Sequence, residues 1–452
     1  MNSFNKHKRI YRHLLLCIFA LISALPLYSS AKDPDSGLAA LPQLFSAASP
    51  LTASSPSQLL SLLHKATHEH PQIKSQLQSL QATGLEVLVA EQSYWPTPSI
   101  TLERAQTHAP DPAYAGSPQV LTFKLQQPLW TGGRLLAQTQ KALATQAVER
   151  ARLTEIQQTV ALRTLQAWVE VVSAQHQQMV LRRSDAVQTQ LLNKIERRVD
   201  QGLSSRSEAS YSGMRLMQVQ QELANAIQLE QQAWIRLKQW VPEVQVQTLA
   251  SDMITAIPPN DLTQWTQRSL ANSGWVQRLE HMAQLQLAEL AEKRAALQPE
   301  VYVRAEHQRG NYTYANLPNV NRVFVGMTAS TGAGLGLAHQ LAALQSKHDG
   351  TLEEIAVAQR GVTETLQTDF VNANARQSKA MALRLNLESS QEMQAAWERQ
   401  FINGKKTWID VMNAARETSQ AELAVLENDM ALLHSQWRLH IQVQGTAAWT
   451  AP

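Results

Sequence analysis

The chain has 452 residues, a formal charge of +3, a single Cys, 17 Gly and only 6% aromatic residues. Lys6, Lys8, Arg9 and Arg12 all precede the apolar run Leu14 to Leu27, so removal of that leader leaves about −1, with no basic surplus for nucleic acid. Cys17 lies inside the same run, which excludes disulfides and Cys-ligated metals from the remainder, and the abundance of Ala, Gln and Leu favours long helices packed closely through small residues.

Residues 1–31 carry the parts of a secretory signal peptide: the basic start, the apolar run and the small residues Ser29-Ser30-Ala31. The run is too short to span a bilayer as a helix, and no second long apolar segment exists. Residues 32–56, rich in Ser, Pro and Ala, are expected to be a flexible segment. A helical pattern then runs from Ser57 to Ser93 with Pro71 near its start. His64, His68 and His70 lie within it. Two His at i and i+4 share a helix face, but no carboxylate stands where a zinc-helix motif needs one, and Pro71 interrupts the segment. They are read as the polar start of a helix, and no metal or other cofactor is expected.

At Trp95-Pro96-Thr97-Pro98 the period changes to two. Ile100 and Leu102, then Leu121, Phe123 and Leu125 alternating with Thr122, Lys124 and Gln126, predict a strand pair over 97–129. Thr107 to Pro118, full of Pro, Gly, Ala and Asp, is the loop between them. Such alternation suits a barrel wall crossing a membrane and equally a hairpin of a soluble sheet. After Thr131-Gly132-Gly133, residues Arg134 to Arg198 contain neither Gly nor Pro, with Ala137, Ala144 and Ala151 one heptad apart beside Leu136 and Leu143. That predicts a helix of about 100 Å, which needs partners along its length. A return helix from Ser205 to Trp240 offers Leu216, Leu223, Ala224 and Ala226 for contact, before Pro242 stops it.

Residues 241–262, with Pro242, Pro258 and Pro259, read as a linker or small side domain. The order then recurs over 263–445: a helix from Trp275 to Leu297, a strand pair over 299–330, a long helix to Phe401 with Gly350 and Gly361 inside it, and a final helix to Val443, leaving a tail of 446–452. Two features measure the repeat, whose first copy is 57–240. Pro98 and Pro299, each opening an alternating run, are 201 residues apart, and Gly202 and Gly404 are 202 apart. Each of these Gly follows an Arg by five residues (Arg197, Arg399) and precedes a hydroxyl residue by three (Ser205, Thr407) and a carboxylate by six (Glu208, Asp410). Gly ends a helix and Ser or Thr with an acid three later starts one, so both copies are tight helix reversals.

Gly332-x-Gly334-x-Gly336 lies between strand and helix like a dinucleotide turn, but the helix after it is some 60 residues long and no parallel strand follows, so the βαβ unit is missing. Gly404-Lys405-Lys406-Thr407 lacks the first Gly of a phosphate loop. G-x-S-x-G and H-E-x-x-H are absent from the sequence, and no enzyme is expected.

Four strands are too few for a membrane barrel of one chain, so strands that cross a membrane require several chains to share a barrel. With the two Gly-x5-acid reversals, Trp130-Thr131-Gly132-Gly133-Arg134 and Thr407-Trp408-Ile409-Asp410-Val411-Met412-Asn413-Ala414, nearly the whole chain after the leader resembles the TolC family of outer-membrane factors. The resemblance implies a mainly α protein of long antiparallel helical hairpins, with an internal two-fold repeat. It implies a homotrimer with a shared twelve-stranded barrel in outer-membrane lipid and a periplasmic α-barrel. It also implies docking, through the reversals, onto a periplasmic adaptor and an inner-membrane transporter.

Two acidic residues ring the periplasmic constriction in that family; here Asp410 matches the first and Asn413 replaces the second, giving a trimer three carboxylates rather than six. The latch that closes the far end falls on Glu208 and Lys406, and Phe401 stands where the family has an assisting Tyr. The alternative role for Glu208 and Asp410 is helix capping; Arg197 and Arg399 are read as helix-end cations. The segment Arg399 to Glu417 is similar to the branch serving type I secretion of large adhesins, with an ABC transporter as partner. The alternatives are the outlet of a multidrug or metal efflux pump and, in another class, a periplasmic coiled-coil adaptor, against which both strand pairs argue.

Overall fold

A computed structural model describes residues 58–106, 111–244, 262–314, 319–329 and 336–450. The signal peptide, the 32–56 segment, most of the 241–262 linker, the Gly332-x-Gly334 turn and the end of the 446–452 tail lie outside these residues.

The predicted first helix is two. Helix α1 (Gln58–Glu69) ends at His70, which is extended (φ −62°, ψ 137°), and α2 (Pro71–Gln92) starts with Pro71 at its first position. The Pro ring removes an N–H that a helix start leaves unpaired anyway, and His70 Nδ1 accepts from the Gln72 amide at 3.3 Å. The second repeat has the same break. A helix the sequence did not predict, α5 (Leu262–Asn272), is followed after Ser273 by α6 (Gly274–Ala295), whose first turn Ser273 caps through the Val276 amide. Pro71 and Gly274 thus begin equivalent helices 203 residues apart, a third measure of the duplication.

Strands β1 (Thr97–Arg104), β2 (Gln119–Trp130), β3 (Glu300–Arg309) and β4 (Val320–Thr328) form one antiparallel sheet in the order β1-β2-β3-β4, so β1 and β4 are its edges. The register puts Ile100 opposite Phe123, Leu125 opposite Ala305, and Ala305 opposite Val323. Side chains alternate across a strand, so these residues share one face with Leu102, Val303, Val325 and Met327. That apolar face is the bare one: Ile100, Leu102, Val323, Val325 and Met327 are each 68–74% exposed. The polar face is the better covered, with Glu306 and Arg304 half-buried and paired at 2.8 Å. A sheet of a soluble protein is arranged the other way round.

A helical hairpin follows each strand pair: α3 (Arg134–Asp200) with α4 (Arg206–Trp240), and α7 (Leu337–Ile402) with α8 (Trp408–Gln444), before the short α9 (Ala447–Thr450). Helix α3 has 67 residues, about 100 Å at 1.5 Å per residue. Gly350 and Gly361 do not interrupt α7. Ala137 and Ala151 of the heptad stripe are buried while Leu136 and Leu143 lie exposed; on α4, Leu216 and Ala226 are buried and Ala224 is exposed. The largest core forms where α1, α3, α4, α8 and α9 converge around Leu63, Trp168, Leu237, Leu433 and Trp449. Lys141–Glu292 (3.0 Å) and Arg278–Glu155 (2.6 Å) tie α3 to α6.

The two long helices are used differently. Helix α3 buries 20 residues within the chain, α7 only 6, and α7 leaves Val357, Val371, Met381 and Leu385 more than half exposed. No helix among the described residues is long and apolar enough to cross a membrane.

Candidate functional site

The two reversals match hydrogen bond for hydrogen bond. In the first, the Leu203 amide donates to the Arg198 carbonyl (2.8 Å) and Gly202 to Val199 (2.9 Å); in the second, Lys405 donates to Gln400 (2.9 Å) and Gly404 to Phe401 (3.0 Å). This pattern requires a left-handed residue, and Gly202 and Gly404 stand at φ +71° and +68°. Nothing crowds a Cβ at either, so the backbone alone demands glycine.

Capping boxes follow. Ser205 Oγ accepts from the Glu208 amide at 3.3 Å, and Glu208 Oε2 accepts from the Ser205 amide at 3.0 Å. Thr407 Oγ1 accepts from the Asp410 amide (3.2 Å), and Asp410 Oδ2 accepts from the Thr407 amide (3.0 Å) and hydroxyl (2.8 Å). Those bonds, the backbone one first, hold the Asp410 carboxyl below the ordinary aspartate value, with the charge of Lys406 adding to them. Asp410 is therefore an anion at neutral pH. Asn413, three residues on and half-exposed, shares its face of α8.

The tips are joined across the repeat by a cluster containing Leu191 and Ile195 of α3 and Trp408, Val411 and Met412 of α8. Trp408, 2% exposed, donates from Nε1 to Ser212 Oγ at 2.5 Å, and Ser212 donates in turn to the Glu208 carbonyl at 3.0 Å. Lys194 pairs with Glu398 at 3.0 Å. Phe401 stacks at a tilt on Trp408, with centroids 4.9 Å apart, and receives the Arg198 guanidinium on its ring at 4.9 Å. The residue that lacks the family's Tyr hydroxyl thus makes a cation–π contact instead.

Lys406 sits 4.1 Å over the Trp397 ring, and among the described residues no ion pair joins it to Glu208, whose carboxylate serves the cap. Arg197 Nε donates to the Asn193 carbonyl at 3.0 Å, as a helix-end cation does; Arg399 is exposed in the last turn of α7. Sequence reasoning missed Arg198, Ser212 and Trp397. Ser212 had one signal, its position four residues after Glu208 on the same helix face.

The N-terminal histidines are used locally. His64 and His68 stack at 4.1 Å, and His70 caps α2 while stacking on Trp240 at 4.9 Å. Among the described residues no three His, Cys, Asp or Glu are grouped to hold a metal ion.

Residues 62–241 match the family model described as outer membrane efflux protein. No curated protein sequence matches the chain. Among solved structures it is similar to the outer-membrane channel OprN (TM-score 0.75, 14% identity, 86% of this chain and 90% of that one). It is also similar to CusC, which forms a transmembrane channel (0.76, 13%, 92% and 98%), and to the outer membrane protein VceC from Vibrio cholerae (0.74, 12%, 86% and 96%). The outer membrane efflux protein model thus covers the first repeat, and the fold of these outer-membrane channels extends over both.

Proposed function

We propose that three copies of this chain close into one outer-membrane channel, the exit duct of a tripartite export system that also holds a periplasmic adaptor and an inner-membrane ABC transporter. The supporting observation is the inverted sheet. An apolar face 68–74% exposed along its edge strands, over a polar face that carries the ion pair Arg304–Glu306, suits lipid outside and water inside. Its edges β1 and β4 offer unpaired backbone groups to neighbouring copies, and the exposed side of α7 offers the matching helical surface. At the far end, Asp410 and Asn413 ring the constriction, three carboxylates attracting cations to the mouth. Glu208 and Lys406 act in the latch between copies, each giving up its local partner to do so, at about 1 kcal/mol or less per exposed pair.

Purified protein in detergent is expected to be a trimer that conducts ions in planar bilayers; a non-conducting monomer removes the proposal. For cargo we favour a large adhesin or similar protein, on the resemblance of Arg399 to Glu417 to the type I secretion branch. The efflux description of the matching family supports a second reading, the outlet of a drug or metal pump. Deleting the gene separates them: loss of a large secreted protein from the cell surface supports the first, and sensitivity to small toxic compounds with secretion intact supports the second.

A further inference from the structure

The lipid-facing side of the sheet is not uniform from end to end. Its register gives successive rows, starting at the end far from the helices: Arg104–Gln119, then Leu102–Leu121–Arg309, then Ile100–Phe123–His307–Asn321. Below these come Pro98–Leu125–Ala305–Val323, then Gln127–Val303–Val325 and Val301–Met327, with no charged residue among them. The apolar belt therefore ends in two arginines, with a polar pair beside them in which His307 Nδ1 and Asn321 Oδ1 lie 2.7 Å apart. The opposite rim differs, carrying the exposed aromatics Tyr94, Trp95 and Trp130 and no cation on this face.

His307 and Asn321 satisfy each other. Arg104 and Arg309 do not: both are exposed, and neither has an ion-pair partner among the described residues. The nearest carboxylate in sequence, Glu103, projects to the other face of the sheet and accepts from the Tyr312 hydroxyl at 3.3 Å. In the register only strand β2 separates the two arginines, one opposite Gln119 and the other opposite Leu121. Two guanidinium groups at the rim of a mainly apolar wall, where acyl chains give way to headgroups, match a lipid whose headgroup carries phosphates.

We propose that Arg104 and Arg309 bind the phosphate groups of a phosphorylated lipid in the outward leaflet, with the Ile100, Phe123 and Val323 surface receiving its acyl chains. This rests on the outer-membrane channel reading, because only insertion brings that face to lipid. The proposal explains why the cations lie at one rim alone and why they lie on the apolar face, where a soluble sheet has no use for them.

The test is binding of bis-phosphorylated lipid A to the purified trimer by native mass spectrometry, with dephosphorylated lipid A and free inorganic phosphate as the other arms. The wild-type trimer is expected to retain the phosphorylated lipid alone. Arg104→Gln or Arg309→Gln weakens retention about fivefold, and the double variant roughly 30-fold. Arg322→Gln, on the opposite face, leaves it unchanged, and Arg104→Lys with Arg309→Lys recovers part of the loss. Equal retention of both lipids by the wild type, or undiminished retention by the double variant, overturns the proposal, as does competition by inorganic phosphate at equal concentration. Conductance is measured on the same preparations: a conducting trimer that ignores the phosphates sinks this inference alone, while a wild type that forms no trimer sinks the channel reading.

Discussion

The bond from Trp408 to Ser212 is the sharpest test of how the two hairpin tips are held together. Both partners are buried, at 2% and 0% exposure, and they belong to different repeats. Trp408→Phe removes the indole N–H but leaves the Ser212 hydroxyl its bond to the Glu208 carbonyl, so the loss is one net hydrogen bond, about 1 kcal/mol. Ser212→Ala strands the indole N–H in an apolar cluster with no water to take it, at about 2 kcal/mol. The double variant removes both groups and leaves nothing stranded, so it falls near Trp408→Phe and below the sum of the two. If the tips must separate for the channel to open, these become open-state populations raised about fivefold, 30-fold and fivefold. Open probability of reconstituted trimers in planar bilayers reads them. Two results refute the reasoning: an unchanged open probability in Ser212→Ala with the trimer intact, which means the tips move together, or additivity in the double variant.

Asp410 gives a pH test whose sign is fixed. Its folded value lies below the ordinary 3.8, so the cap and the ring charge are present above that value and are lost as pH falls through the lower, folded one; multivalent-cation block should survive at pH 4. Block that disappears between pH 5 and 4 contradicts this. Asn413→Asp raises the ring from three carboxylates to six in a trimer and should deepen block by trivalent cations; unchanged block means Asn413 faces away from the pore. Gly404→Ala meets no atom but forces a left-handed alanine, about 1 kcal/mol, whereas Gly116→Ala would place its Cβ 2.2 Å from the Asn311 carbonyl oxygen. The second variant should therefore lower the melting temperature of the trimer more than the first. Val325→Arg on the apolar face should cost about 2–4 kcal/mol and deplete inserted trimer, while Thr101→Arg on the polar face, opposite Thr122, should be near neutral; equal effects would mean the sheet does not separate lipid from water.

What could be read in advance was what local chemistry dictates. Gly202 and Gly404, each followed by a hydroxyl residue and an acid, specify a reversal whatever surrounds them, and both reversals match the expectation bond for bond. The strands were legible because a proline and a change of period bound them. The helix Leu262–Asn272 was not, because its apolar residues are few and a polar Ser-Gly break parts it from the next helix. His70 was weighed as a metal ligand because sequence spacing cannot show that its ring is committed to Gln72 and Trp240. Ala224, offered for contact, is exposed, as are Leu136 and Leu143 beside the buried Ala137 and Ala151, because a heptad pattern says which residues share a stripe and not which stripe finds a partner. Phe401 illustrates the same gap: from the sequence it was a hydroxyl lost, and only the fold shows Arg198 lying on its ring.

The duplication helps explain why one chain is unfinished. Two copies of one plan, helix pair, strand pair and hairpin, would in a closed monomer bury equivalent surfaces equally. Here they do not: α3 is enclosed by α2, α4, α6 and α8 and buries 20 residues, whereas its counterpart α7 packs on α5, α6 and α8 and buries only 6. The sheet has the same asymmetry, with β2 and β3 paired on both sides and β1 and β4 on one. Both deficits are of the kind a neighbouring copy repairs, since β4 of one chain can pair with β1 of the next while α7 meets the exposed side of α4, where Met214, Met217 and Ile235 stand in solvent. Heterologous contacts of this kind form a ring if the rotation closes and a filament if it does not. The curvature of the barrel decides between them: each copy adds four strands, so closure at three copies demands that the sheet turn through a third of a circle, and the polar face, already the better covered, is the side toward which it must bend.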